Sequence, residues 1–179
     1  PIHKHTMNLT VKNIVRFVLF FVLQVLVLNQ IEIGTGAQIM IYPLFIFLLP
    51  VELNVIFLMA IGFALGIWID AMSNTYGLHA SSLLTMAYLR PAIFRIFAPR
   101  DGYDALLETN LYTMGSKWFV KTFGILLLVH HFWFFMLEMF KLNEVLYVFQ
   151  KTGLSALISF LISVFLQFLF LRKPKRNEA

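Results

Sequence analysis

The side chains able to do chemistry in this chain are few, and they lie inside long apolar runs. A charged, unpaired side chain at the centre of a membrane helix costs about 2.5–3.5 kcal/mol, so each one needs a reason to be there. Gly62, Gly66 and Asp70 recur at i, i+4 and i+8, which puts them on one helical face drifting by about 40° per step. Small residues at that spacing let two helices approach closely in lipid. The face therefore predicts packing, with a hydrogen-bonding role for Asp70 and a partner or ligand contact as the alternative. In the next run His79, Ser82, Met86 and Arg90 fall within about 80° of one another on a helical wheel. They form a polar stripe ending at Arg90-Pro91, where the missing amide predicts a kink. Arg90 is expected to snorkel toward the nearer leaflet. Ser155, Ser159, Ser163 and Gln167 recur every four residues and read as a helix-packing seam.

Other chemistries are disfavoured by spacing. His130 and His131 are adjacent, hence about 100° apart on a helix, whereas a helical chelate needs i, i+3 or i, i+4. His131 and Glu138 share a face without a third ligand, so no metal site is expected. The chain has no Cys, which removes disulfides, thiolate ligands and cysteine nucleophiles and leaves the redox compartment unread. It carries no Gly-rich phosphate loop, no G-x-S-x-G elbow and no H-E-x-x-H, and Ser81 and Ser82 follow His79 too closely to form a relay. The expectation is no catalytic residue, no cofactor and no enzymatic activity.

The elements that position these residues follow from composition. The 179 residues are 60% hydrophobic and 13% charged, with a mean hydropathy of +0.81. A soluble domain is about 45–50% apolar and about 25% charged, so most of this surface faces lipid. At about 20 residues per crossing plus a short loop, about six crossings fit and no separate soluble domain does. Pro1 to Thr6 precede Met7 and read as an extension, with residues 7–179 as one six-helix transmembrane domain. The expected spans are approximately 12–29, 38–50, 53–70, 77–98, 118–140 and 153–171. The second is short and broken by Pro43, so a re-entrant segment is the alternative. It is kept as a crossing because five crossings would place the basic head and the basic tail, Arg172 to Arg176, on opposite sides. With six crossings and a cytoplasmic amino terminus, 12 of the 14 Lys and Arg lie inside, and only Lys141 and Lys151 lie outside. Both termini are thus expected in the cytoplasm. Within the inner loop, Asp104, Leu106, Leu107 and Leu111 fit either a short helix over Tyr103 to Met114 with an acidic N-cap, lying on the membrane surface or on a cytoplasmic partner, or a solvated loop. The net charge of +5 reflects this loop asymmetry rather than nucleic-acid binding.

Leu49-Pro50, then Gly62 to Asp70 (GFALGIWID), then Asn74 to Pro91 (NTYGLHASSLLTMAYLRP) stand in the order and spacing of a known signature. The chain from Met7 to Leu171 resembles the MreD family, the rod shape-determining membrane proteins of bacteria. In that family a Gly-rich third helix ends in Asp, and a Gly-Leu-His/Arg element opens the fourth helix before Ala-Tyr-Leu. The matching positions are Gly62, Gly66, Asp70, Gly77, Leu78, His79, Ala87, Tyr88 and Leu89. Ala98 to Tyr103 (APRDGY), His130-His131, Glu138 and Gln24 to Asn29 resemble the Bacteroidetes-like subgroup, from which Asp104 departs where Glu is common.

The resemblance implies a non-catalytic inner-membrane scaffold of the rod complex, or elongasome, which maintains cell shape by organising peptidoglycan synthesis. It implies MreC as the direct partner, with MreB, RodA and a class B penicillin-binding transpeptidase in the same complex, and it leaves room for a homodimer. Gly62, Gly66, Asp70, Gly77, His79, Arg90, Ser155, Ser159 and Ser163 are the expected packing or partner-binding residues. The MreD family also resembles the S-components of energy-coupling-factor transporters, six-helix proteins that hold vitamins. The alternative is thus a small-molecule binder whose outer pocket uses Asp70, Tyr76 and His79. A proton-coupled carrier would need Asp70, His79 and Glu138 to face one another, and they lie at scattered depths.

Overall fold

The computed structural model describes residues 2–31, 33–34, 36–103, 108–140 and 142–170, the side chains of 2–10 and 142 aside. Its helices are α1 (Ile2–Leu26), α2 (Pro43–Leu48), α3 (Val55–Ser73), α4 (Leu78–Ile96), α5 (Leu111–Met114), α6 (Ser116–Met139) and α7 (Val145–Phe170). Short 3-10 turns lie at Leu28–Gln30 and Leu142–Glu144, and there is no strand among the described residues. Four helical stretches, Val11–Gln30, α3, α6 and α7, are long and apolar enough to cross a membrane. The chain is an all-α, multi-pass membrane protein.

Local chemistry sets the helix ends. Asn54 Oδ1 accepts the Ile56 amide at 2.8 Å and opens α3, a standard N-cap. Asn74 closes it at φ 55°, one of the few side chains that tolerates the left-handed region. Pro91 sits inside α4, which continues through it to Ile96.

α3 packs on α4, α4 on α6 and α6 on α7, while α1 rests against α3. At the centre, α2 touches α1, α3, α4 and α6, and every residue from Ile39 to Leu49 is buried. Phe47 holds this centre with rings of Phe94, Trp118, Phe119 and Phe123 at centroid distances of 5.0–5.7 Å, within the usual range for favourable aromatic pairs.

Several expectations need correction. The second span is not a transmembrane helix: only Pro43 to Leu48 is helical, and residues 37–42 are not. The last helix begins at Val145 rather than near 153. A continuous helix over Tyr103 to Met114 does not form, because Glu108 to Asn110 is non-helical and Asn110 caps the single turn α5 through the Tyr112 and Thr113 amides at 2.9 and 3.0 Å. Asp104, Leu106 and Leu107, together with Lys141 and the basic tail beyond Phe170, lie outside the described residues.

Candidate functional site

The face Gly62, Gly66, Asp70 is occupied by the chain's own α4. A Cβ on Gly66 would stand 2.3 Å from Ala80 Cα and 2.6 Å from Ala80 N, so only glycine permits this crossing. At Gly62 the nearest atoms would be 3.5–3.7 Å away, ordinary contact. One turn on, the buried Asp70 reaches across the hairpin. Its Oδ1 accepts the His79 amide at 3.0 Å and the Thr75 hydroxyl at 2.6 Å, and its Oδ2 accepts the Ala80 amide at 2.9 Å. The carboxylate thereby caps α4, whose own N-cap residue, Gly77, has no side chain to do so. A negative group is favoured there because the first-turn amides are otherwise unpaired and carry partial positive charge. Gly77 is not a packing residue: its φ of +95° is the reason for glycine, and nothing lies within 4 Å of a Cβ there.

The serine row meets backbone rather than a helix. Ser155 Oγ accepts the Gln38 amide at 3.0 Å and Ser159 Oγ accepts the Met40 amide at 2.9 Å. From the other side, Gln24 Nε2 donates to the Ile39 carbonyl at 2.8 Å and its Oε1 accepts the Ile41 amide at 3.0 Å. Partners thus alternate between α7 and α1, as an extended run requires. Serines four apart rise about 6 Å along a helix, close to the rise of two extended residues. Non-helical backbone survives at membrane depth only when other protein groups satisfy it. Ser163 does not join: its Oγ has no partner among the described residues.

Arg90 does not snorkel. It is 1% exposed, donates to the Phe47 carbonyl at 3.2 Å and to the Leu49 carbonyl, and lies over the Phe94 ring. Thr109 Oγ1 also donates to the Phe47 carbonyl, at 2.9 Å. A cation at a helix C-terminus meets carbonyls that have no helical partner, so Arg90 closes α2 as Asp70 opens α4. At the same end of the bundle Glu108 receives Lys12 at 2.5 Å and Arg16 at 2.8 Å. Burial raises the Glu108 carboxyl, but the hydrogen bonds and charges of Arg16 and Lys12 outweigh it and hold the group below its ordinary value. At the opposite end Glu138 receives Lys151 at 2.6 Å and Gln38 Nε2 at 2.9 Å.

His79 Nδ1 lies 2.6 Å from the Tyr42 hydroxyl, and the Tyr42 ring stands edge-on to His130 at 5.2 Å. His131 spans the Leu127 carbonyl at 2.9 Å and Ser159 Oγ at 3.2 Å. Among the described residues neither ring nitrogen of His130 has a partner, and no three His, Asp or Glu side chains form a metal-binding group. Above His79 opens a cavity of about 810 Å³ between residues 25–31, 33–34 and 36–39, the α3–α4 hairpin and Lys151 of α7. Of the three residues expected to form a pocket, only His79 lines it. Asp70 faces α4, and Tyr76 is 98% exposed at φ 49°.

Sequence reasoning thus found the residues but misassigned what most of them touch. It does not single out Gln38, Tyr42, Glu108 or Thr109, and it names Gln24 only within the Gln24 to Asn29 element of the resemblance. An amide in a lipid-spanning helix was the one available signal, because such a group marks backbone that needs a partner. No protein-family model, curated protein or solved structure matches the chain.

Proposed function

We propose that the protein is a non-catalytic scaffold of the bacterial inner membrane that organises peptidoglycan synthesis in rod-shaped growth, as MreD proteins do, beside MreC, MreB, RodA and a class B transpeptidase. The observation that carries this reading is the occupancy of Asp70. Both its oxygens are held by α4 and Thr75, so the one buried carboxylate among the described residues serves the fold and is not free to act as acid, base or ion carrier. Partner contact then falls to outward surfaces rather than to the Gly62–Asp70 face. Isolation from native membranes in mild detergent, with identification of co-purifying proteins and small molecules, tests it. MreC is expected in fixed ratio, with rounding of cells on depletion.

The same reading includes six crossings with both termini cytoplasmic and an S-component-like arrangement. Residues 37–41 reach at most about 17 Å when extended, and Tyr42, whose dihedrals are helical, adds about 10 Å together with α2, a total close to the roughly 30 Å hydrocarbon thickness. A segment part extended and part helical thus nearly spans that thickness, and the proposed crossing includes its flanking residues. Arg100 and Asn143 are exposed and lie at opposite ends, in a chain without Cys. Asn143→Cys is expected to react with an impermeant maleimide on intact spheroplasts and Arg100→Cys only after lysis. Labelling of Arg100→Cys from outside overturns the topology.

A second reading, a small-molecule binder, is favoured by the cavity above His79. Its volume of about 810 Å³ falls within the range of ligand sites, and His79, Gln38 and Lys151 supply polar groups.

A further inference from the structure

We propose that the lateral cleft between α1 and α7 seats one acyl chain of an anionic phospholipid, with the lipid phosphate held by Arg16 and Gln167. The cleft is walled by Leu19, Phe20 and Leu23 of α1 and Leu166 of α7, and floored by Leu44 and Leu48 of α2. Its length along α1, from Arg16 to Leu23, is about 10 Å. The wall is apolar, and only its two end residues, Arg16 and Gln167, are polar.

Those two residues give the cleft its chemistry. Gln167 is 2% exposed. Its Oε1 accepts the Leu111 amide at 3.0 Å, and its buried Nε2 has no partner among the described residues. A buried donor without an acceptor is rare in a folded protein and points to a group that completes it. Arg16 offers a planar fork suited to phosphate, and Glu108 engages its Nη2. Lys12, Arg16 and Glu108 together remain net positive. Basic residues clustered at the end of a membrane helix favour anionic headgroups. The apolar slot takes a stretch of a lipid tail, and the described cations Lys12 and Arg16 select the headgroup.

The test is native mass spectrometry of the purified full chain titrated with palmitoyl-oleoyl phosphatidylglycerol or with phosphatidylcholine of the same chains. Wild type is expected to retain one phosphatidylglycerol in preference to phosphatidylcholine. Arg16→Gln is expected to lower that preference about fivefold, the effect of one basic residue at an anionic surface. Leu19→Trp, at an exposed position on the cleft wall, is expected to reduce retention of both lipids, and it keeps the test decisive if Arg16→Gln does not fold. Glycerol phosphate in excess is expected to leave the lipid bound. Equal retention of the two lipids by wild type, unchanged retention in both variants, or displacement by glycerol phosphate alone overturns the proposal.

Discussion

Gly66→Ala is expected to destabilise the protein by about 3 kcal/mol, the upper end of the overpacking range. The added Cβ would meet the backbone of Ala80 and His79 at 2.3–2.9 Å, and backbone cannot swing aside as a side-chain tip does. α3 and α4 must separate, which also pulls the His79 and Ala80 amides from Asp70. Gly62→Ala is the internal control, since its Cβ meets only ordinary contacts. Both substitutions gain similarly in helix propensity, about 1 kcal/mol, so the difference between them isolates the steric term. Reversible unfolding in mixed micelles measures it. Equal stability of the two variants would mean that the hairpin is looser than described.

Asp70→Asn is expected to cost nearly as much as Asp70→Ala, at about 2–3 kcal/mol. On shape alone Asn is the mild substitution, because size and some hydrogen bonding are kept. The geometry reverses that expectation: both oxygens accept, Oδ1 from His79 and Thr75 and Oδ2 from Ala80. An amide must point its NH₂ at a backbone N–H or at that pair, leaving a buried donor unsatisfied at about 1–3 kcal/mol and weakening bonds that were charge-assisted. Amide exchange at His79 and Ala80, alongside unfolding, locates the loss. Slow exchange retained in Asp70→Asn would show that the carboxylate is not the cap.

How far the sequence is legible varies by element. α3, α4 and α6 follow from apolar runs bounded by Asn54, Asn74, Gly77 and Gly115. The early start of α7 is hidden by Gln150, Lys151 and Thr152, which read as loop. Lys151 is instead held by Glu138 and stacked on the Phe135 ring at 4.6 Å. Residues 37–42 are illegible for a deeper reason: an apolar run has the same composition whether helical or extended, and its backbone partners lie as far away as Ser155 and Ser159. Periodicity placed Asp70 on a packed face but does not reveal that the packed neighbour is a helix N-terminus nine and ten residues on. Arg90 was misread because a charge near a membrane helix end ordinarily reaches for water, and the carbonyls of α2 that hold it are set only by the fold.

The most direct measurement is the inventory of molecules that leave native membranes with the wild-type protein in mild detergent. The scaffold reading predicts MreC in fixed ratio, with RodA and the transpeptidase present and no stoichiometric small molecule in the cavity above His79. A vitamin-like ligand bound one to one, with none of those proteins and with normal rod shape after depletion, would contradict it.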